Sequence, residues 1–297
     1  MKKGAHVSVI LVNYNGLKDT LDCLNSLRRV NYSDFDVIIV DNASADDSAA
    51  RLGSVLQKHE TLIESQFNNG FSAGNNIGIK YALEHGADYC LLLNNDTLVE
   101  PDFLTELILP FETYDDCGLT IGKILYASQP EIIWYAGGSV DFSTARTRHW
   151  HYRERDDIEK NEITDVSFAT GCCMCLSAKA INTIGYLNEE YFMYVEDVEY
   201  CMKLQKAGYR LLYNPNSRIY HKVNASSGNS SFSQYYSVRN KLLLIQQNFE
   251  KPQKWKAFSY IFIQSLWRGI KKEYDLPTVI KAFKAFRKGE VGKSTLV

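Results

Sequence analysis

Val7-Ser-Val-Ile-Leu-Val-Asn13, running into Tyr14-Asn-Gly16 and then into Leu17, Leu21, Leu24 and Leu27, is the stretch from which the fold is read. A nearly continuous run of β-forming apolar residues is a strand buried on both faces. The Asn/Gly turn ends it, and leucine at every third or fourth position makes the following segment an amphipathic helix. The cycle then repeats outward from this point. A strand at 36–40 stops at Asp41-Asn-Ala-Ser44 and precedes a helix to about residue 59, and a strand at 62–65 leads to an Asn/Gly loop over 68–76 and a helix over 77–85. A fourth strand at 89–93 ends at Asn94-Asn-Asp96.

Strands alternating with helices predict βαβ crossovers and a mainly parallel sheet with helices on both faces. Each polar turn follows a strand C-terminus, the edge where open α/β sheets bind ligands. Asn13, Asp41 and Asp96 are therefore expected to converge on one crevice. The G-x-G-x-x-G fingerprint is absent after the first strand, which removes the main support for a dinucleotide oxidoreductase. From 118 to 170 the pattern is irregular and rich in Trp, Tyr, His and Arg, as an insertion with an antiparallel component would be. Beyond it a strand at 170–177, a helix at 179–184, a helix at 198–207 closed by Gly208, strands at 209–213 and 218–220 and a helix at 235–248 are expected.

The chain has 297 residues, 45% of them hydrophobic and 23% charged, enough to bury a large core and too few polar repeats for a fibrous or disordered protein. No run reaches the roughly 18–20 apolar residues of a spanning helix. No leader pattern follows the basic N-terminus, and the seven scattered cysteines suit a reducing compartment, so a cytoplasmic location is expected. Net charge is −2, but residues 250–297 hold 11 Lys and Arg against 4 Asp and Glu. The division expected is a catalytic domain over 1–248 and a basic amphipathic helical tail over 249–297. Phe258, Ile261, Phe262, Leu266 and Ile270 form one apolar stripe of the tail, and Val279, Phe283 and Phe286 form a second. Peripheral contact with an anionic membrane through 254–288 is one reading of it, a solvated or partner-binding surface another. The acidic remainder and the lack of a known motif argue against nucleic acid.

Five motifs taken together resemble glycosyltransferase family 2, of GT-A fold, and most closely its rhamnosyltransferase-like branch: Val9-Ile-Leu-Val-Asn-Tyr-Asn15, Val40-Asp-Asn-Ala-Ser44, Asn69-Gly-Phe-Ser-Ala-Gly-Asn75, Leu93-Asn-Asn-Asp96 and Tyr191-Phe-Met-Tyr-Val-Glu-Asp-Val-Glu199. The resemblance implies an inverting, metal-dependent enzyme that moves a sugar from a nucleoside diphosphate donor, dTDP-rhamnose being the donor of that branch, to a glycan or lipid-linked glycan. It implies work at the inner face of the membrane.

On this resemblance Asp96 holds a divalent cation, Mn2+ or Mg2+, with His221 as a second ligand. Asn94 stands where many relatives carry a first Asp, which removes one charge and leaves more of the coordination to the donor diphosphate. Asp197, at a helix start, is the general base, and Glu196 is the second choice or an acceptor contact. Asp41 resembles the acid that binds base or ribose. Asn13, Asn15 and Asn95 are expected to line the same pocket, Gly74 and Asn75 to form a loop approaching the nucleotide and sugar, and Arg239 to lie near the diphosphate or the acceptor. Each position also has a plainer use: Asp96 and Asp197 as helix caps, His221 as a buried structural histidine, the Asn/Gly segments as turns. Trp134, Tyr135, Trp150 and Tyr152 are either stacking surfaces for acceptor sugars or local core, and Cys172, Cys173 and Cys175 read as small core residues rather than zinc ligands. Two rival functions remain at this point, a sugar-1-phosphate nucleotidylyltransferase and a non-catalytic nucleotide-sugar-binding module.

Overall fold

A computed structural model describes residues 4–157, 162–223 and 230–295. In chain order the elements are β1 (Val7–Asn13), α1 (Leu17–Leu27), β2 (Phe35–Asp41), α2 (Ser48–Gly53), β3 (Glu60–Glu64), α3 (Gly70–Glu84), β4 (Tyr89–Asn94), β5 (Thr97–Val99), α4 (Phe103–Thr113), β6 (Cys117–Tyr126) and β7 (Gln129–Tyr135). They continue with β8 (Gly138–Asp141), β9 (Arg146–His149), β10 (Thr164–Asp165), β11 (Cys173–Ser177), α5 (Ala178–Ile184), α6 (Glu196–Lys206), β12 (Arg210–His221), α7 (Ser231–Asn248), α8 (Gln253–Ile270) and α9 (Leu276–Arg287).

The main sheet runs β10-β12-β6-β11-β4-β1-β2-β3, with β5 on β12 and β7 on β6. The β4-β1-β2-β3 group is parallel, as the apolar runs predict, and so is β6 with β12. Antiparallel β11 joins the two parallel groups. That antiparallel component lies at the sheet centre as well as in the 118–170 region, where β8 and β9 form a separate hairpin.

Three expectations are corrected. First, the segment 68–76 is a loop only as far as Asn69, and α3 begins at Gly70. Propensity gives way there to packing, because Gly74 and Gly78 let α3 lie directly on β1. A Cβ at Gly74 would meet the Val12 methyls at 2.9 and 3.2 Å, and one at Gly78 would strike Ile10. Second, the helix after β2 is only the six-residue α2. Third, the two short strands at 209–213 and 218–220 are one strand, β12, which carries Pro215 through a register shift between Asn214 and Arg218. A bulge is where a strand tolerates proline.

The seven cysteines are free and buried, with Cys173 and Cys175 in the wholly buried β11, so they are core as expected. The C-terminal helices fold back on the rest of the chain. α9 packs on α7, the Gly292 amide donates to the Glu190 carbonyl, and the Ser294 amide donates to the Tyr236 hydroxyl at 2.7 Å.

Candidate active site at the sheet edge

Register brings the first cluster together. Asn13 and Asp41 are the last residues of neighbouring parallel strands and stand directly opposite one another. Asn13 Nδ2 donates to Asp41 Oδ1 at 2.7 Å and to Ser44 Oγ at 3.1 Å. The Ser44 hydroxyl donates to Asp41 Oδ1 at 2.7 Å and the Ser44 amide to Oδ2 at 3.0 Å, while Asn15 takes a left-handed backbone and its amide donates to Ser44 Oγ. On the other side Thr20 Oγ1 donates to Asn13 Oδ1, and Asn95 Nδ2 donates to Thr20 Oγ1, both at 2.8 Å. One hydrogen-bonded chain thus runs Asp41–Asn13–Thr20–Asn95 across three strand ends.

Asn13 is fully buried, so it holds this chain together from behind and does not itself line a pocket. Asn15 and Asn95 reach the surface. Gly16 makes room for the last link, since a Cβ there would come within 2.8 Å of Asn95 Nδ2. Gly74 and Asn75 depart from their expected role. Both lie inside α3 and are buried, Gly74 against Val12 and Asn75 with its amide donating to the Phe71 carbonyl, so neither forms a loop over a ligand.

The second cluster is made by β5 pairing with β12, which sets His221 opposite Thr97, and by the Lys222 amide donating to the Asp96 carbonyl at 2.9 Å. His221 Nε2 comes within 3.2 Å of Asp96 Oδ1. Among the described residues the pair makes no directed hydrogen bond, and Asp96 Oδ1 and His221 Nδ1 are both buried without a hydrogen-bond partner. Two lone-pair atoms about 3 Å apart are spaced like adjacent ligands of an ion with bonds of about 2.1 Å. With the His221 ring protonated, burial works against ionised Asp96, but the imidazolium beside it, its own backbone amide and Lys222 outweigh burial and hold the carboxyl below the usual carboxylate range; a bound cation would take the place of that proton. Among the described residues no group of three or more His, Cys, Asp and Glu is placed to hold a metal ion. The two residues therefore fit a divalent cation only if a ligand completes the shell, as oxygen-rich diphosphates do.

The third cluster surrounds Asp197. Tyr194 and Val195 have φ of +70° and +80°, a conformation that a β-branched residue adopts only under constraint. Asn240 supplies that constraint, its Nδ2 donating to the carbonyls of Met193 and Tyr194 at 2.9 Å each. The strained turn places Glu196 and Asp197 in the first turn of α6, where the helix dipole favours negative charge. Asp197 Oδ2 accepts the Gly171 amide at 3.0 Å and Oδ1 the Val198 amide at 2.8 Å. Burial nonetheless raises the Asp197 carboxyl above its ordinary value, with those amides pulling the other way. Burial raises Glu196 much further, helped by the charge of Asp197, and its Oε2 has no hydrogen-bond partner.

Asp197 and Asp96 are joined through one short loop. Gly171 binds Asp197, and the next residue, Cys172, accepts the Asn94 amide at 2.9 Å through its carbonyl. Arg239, beside Asn240 on α7, is 1% exposed; its Nε donates to Asn240 Oδ1, its ring neighbours are Tyr235 and Tyr236, and among the described residues neither terminal nitrogen has a hydrogen-bond partner. A buried guanidinium with two idle donors has the donor chemistry to hold an anion.

Of the four aromatics singled out, Tyr135 is core, its hydroxyl donating to the Phe168 carbonyl, and Trp150 is half-buried with its Nε1 donating to Ser139. Trp134 stands edge-on to His221 with centroids 4.8 Å apart, which puts it beside the Asp96 cluster, and Tyr152 is exposed. Sequence reasoning did not assign roles to Thr20, Ser44, Gly171 or Asn240. Ser44 lay inside a quoted motif, and the others carry no local signal because their partners are distant in the chain.

The glycosyl transferase family 2 profile matches residues 8–185, more than half of the chain and every strand end described above except the α6 and β12 contributions. The chain belongs to glycosyl transferase family 2. It is 26% identical over 254 residues to the low-salt glycan biosynthesis hexosyltransferase Agl10 of Haloferax volcanii, covering 82% of this chain and 77% of that one. It is 24% identical over 254 residues to the dTDP-rhamnosyl transferase RfbF of Shigella flexneri, covering 82% and 81%. Among solved structures it resembles GalNAc-T7 bound to UDP, GalNAc and Mn2+, with a TM-score of 0.69 and 16% identity, over 84% of this chain and 49% of that one. It also resembles the mannosyltransferase PcManGT of Pyrobaculum calidifontis bound to GDP-Man and Mn2+, with a TM-score of 0.59 and 15% identity, over 96% and 75%. The fold is therefore GT-A and the protein a glycosyltransferase, which decides against both the nucleotidylyltransferase and the non-catalytic binding module.

Proposed function

We propose that this glycosyltransferase moves one sugar, with inversion, from a nucleoside diphosphate donor to a hydroxyl of a glycan or lipid-linked glycan, with dTDP-rhamnose as the donor. The observation that supports the reading is the pair of bonds through residues 171–172, Gly171 donating to Asp197 and Cys172 accepting the Asn94 amide, which ties the start of α6 to the end of β4, two residues before Asp96. The RfbF relative supports the donor by its name, and solved neighbours that hold UDP or GDP-Man support a nucleoside diphosphate.

In this mechanism Asp197 takes the acceptor hydroxyl proton while that oxygen bonds to the anomeric carbon on the face away from the leaving group. The bond from the anomeric carbon to the diphosphate oxygen breaks, and the diphosphate departs with the electron pair. A carboxyl raised by burial is a stronger base than a free aspartate, and its two amide donors fix its direction. Arg239 offers its idle donors to the diphosphate, and Asp41 with Ser44, held from behind by Asn13, offers acceptors to base or ribose. Asp96 and His221 would hold a divalent cation, Mn2+ or Mg2+, which supplies positive charge to the departing diphosphate. The location proposed is the cytoplasmic side of the membrane.

The test is release of nucleoside diphosphate from a panel of nucleotide sugars with Mn2+, with and without a rhamnose-accepting glycan. Faster release from dTDP-rhamnose than from UDP- or GDP-sugars is expected. Equal or greater turnover of another donor would overturn the donor assignment, and retention of anomeric configuration in the product would overturn the single displacement.

A further inference from the structure

The C-terminal helices divide the basic tail differently from its sequence pattern. In α9 the apolar side faces inward: Val279 is buried, and the Phe286 and Phe283 rings lie 5.8 and 5.7 Å from those of Phe258 and Phe262. In α8 the buried strip is Ala257, Ile261, Ser265 and Gly269, spaced by four and small enough to seat the helix closely on its neighbours. Ile261, which periodicity groups in one stripe with Leu266 and Ile270, is thus an inward residue while those two are exposed.

The opposite side of α8 carries Trp255, Ile263, Leu266, Trp267 and Ile270, all between 42 and 72% exposed. At 100° per residue these five span roughly 120° of one helix face. A contiguous apolar face of this size marks a surface that meets another phase or partner. Its setting favours one occupant. Residues 251–272 contain six Lys and Arg and no Asp or Glu, and Lys251, Lys256, Lys271 and Lys272 are exposed, with Lys271 4.8 Å over the Trp267 ring. Two of the chain's four tryptophans lie on this one face, and tryptophan prefers the boundary between headgroups and acyl chains. No helix among the described residues is long and apolar enough to cross a membrane. We infer that α8 docks the protein in the plane of an anionic lipid surface, its outer apolar face entering the headgroup boundary and its lysines meeting lipid phosphates.

The experiment is sedimentation of the full chain with vesicles of phosphatidylcholine alone and of phosphatidylcholine mixed with phosphatidylglycerol, read with tryptophan emission. Binding to the anionic vesicles at least tenfold tighter than to the neutral ones, a blue shift on binding, and weakening by salt are expected. Ile263→Glu combined with Ile270→Glu should weaken binding more than tenfold while melting temperature and turnover of a water-soluble acceptor stay unchanged. Lys256→Gln with Lys271→Gln and Lys272→Gln should remove the preference for anionic lipid. Failure of the unaltered chain to bind anionic vesicles, or undiminished binding by the glutamate variant, would overturn the inference. So would a dimer in lipid-free solution that the glutamate variant dissociates, because a second copy would then cover the face.

Discussion

Asp197 Oδ2 accepts the backbone amide of Gly171 at 3.0 Å, and this one bond ties the start of α6 to the residue before Cys172, whose carbonyl receives the amide of Asn94. The bond keeps the carboxylate pointed and partly offsets its burial. Asp197→Asn keeps shape and volume but cannot take a proton, so turnover should fall by about 10²–10⁴ while donor affinity changes little. Single-turnover kinetics with a donor-binding measurement checks it; an active Asn variant would place the base elsewhere.

Because burial raises the Asp197 carboxyl above its ordinary value, the base loses its charge at a higher pH than a surface aspartate does. The acid limb of kcat/KM should accordingly lie above the pH range of a free carboxylate, with activity lost as pH falls through it. Glu196, raised much further, gives the opposite lesson for stability. Its native state binds a proton more tightly than the unfolded chain, so its contribution to stability is greatest at low pH and declines as pH rises above its unfolded value of 4.5. Glu196→Gln should therefore raise the melting temperature at neutral pH, with the gain over the unaltered chain growing from acid to neutral.

Removal of the imidazole tests the metal pair. On the proposed assignment His221→Ala leaves the cation with Asp96 and the donor, and the Mn2+ concentration for half-maximal activity should rise by on the order of tenfold. The advantage of Mn2+ over Mg2+ should narrow as well, since nitrogen ligation favours the transition metal. A metal titration of activity with each ion reads both effects.

The strand-end cluster was legible because apolar runs fix where β1, β2 and β4 stop, and parallel register then places Asn13 opposite Asp41. Strand β6 was not legible. Gly118 and Gly122 break its apolar run to make room for Tyr209 and Ser217, and Lys123 looks solvated until its buried partner Asp156, 2.6 Å away, is known. Similarly, the Asn/Gly content of 68–76 reads as loop by propensity. Its glycines, with Gly78 beyond it, are there so that α3 can touch the Phe192 carbonyl, Val12 and Ile10. The family resemblance, not local pattern, pointed to His221, because its neighbour Asp96 is brought by long-range strand pairing. The unpartnered face of α8 was hidden for a related reason. Periodicity locates an apolar stripe, but only packing tells which side of it is covered.

Gly70 tests the coupling between α3 and the turn that leads into α6. Its φ is +90°, a Cβ there would collide with the Phe192 carbonyl, and the Phe71 amide donates to that same carbonyl at 2.8 Å. Gly70→Ala should cost at least about 1–3 kcal/mol from backbone strain alone. Thermal unfolding would show the loss, and turnover at permissive temperature should fall with it because residues 191–197 must shift.

Arg239 separates structural from ligand-binding use of a buried charge. A guanidinium that served the fold would have its donors engaged, yet both terminal nitrogens are idle at 1% exposure. Removing such a charge relieves desolvation but forfeits the Nε bond to Asn240 Oδ1 as well as the contacts with Tyr235 and Tyr236, so Arg239→Met should leave the melting temperature of the donor-free protein nearly unchanged. Loss of a charged hydrogen bond to phosphate, about 1.5–3 kcal/mol, should weaken donor binding roughly 10- to 100-fold. Arg239→Lys should recover part of that affinity, because the ammonium restores charge without the two-pronged geometry. Calorimetry of donor binding beside thermal unfolding distinguishes the cases: a destabilised Met variant with unaltered donor affinity would assign Arg239 to the fold and leave the diphosphate to other residues.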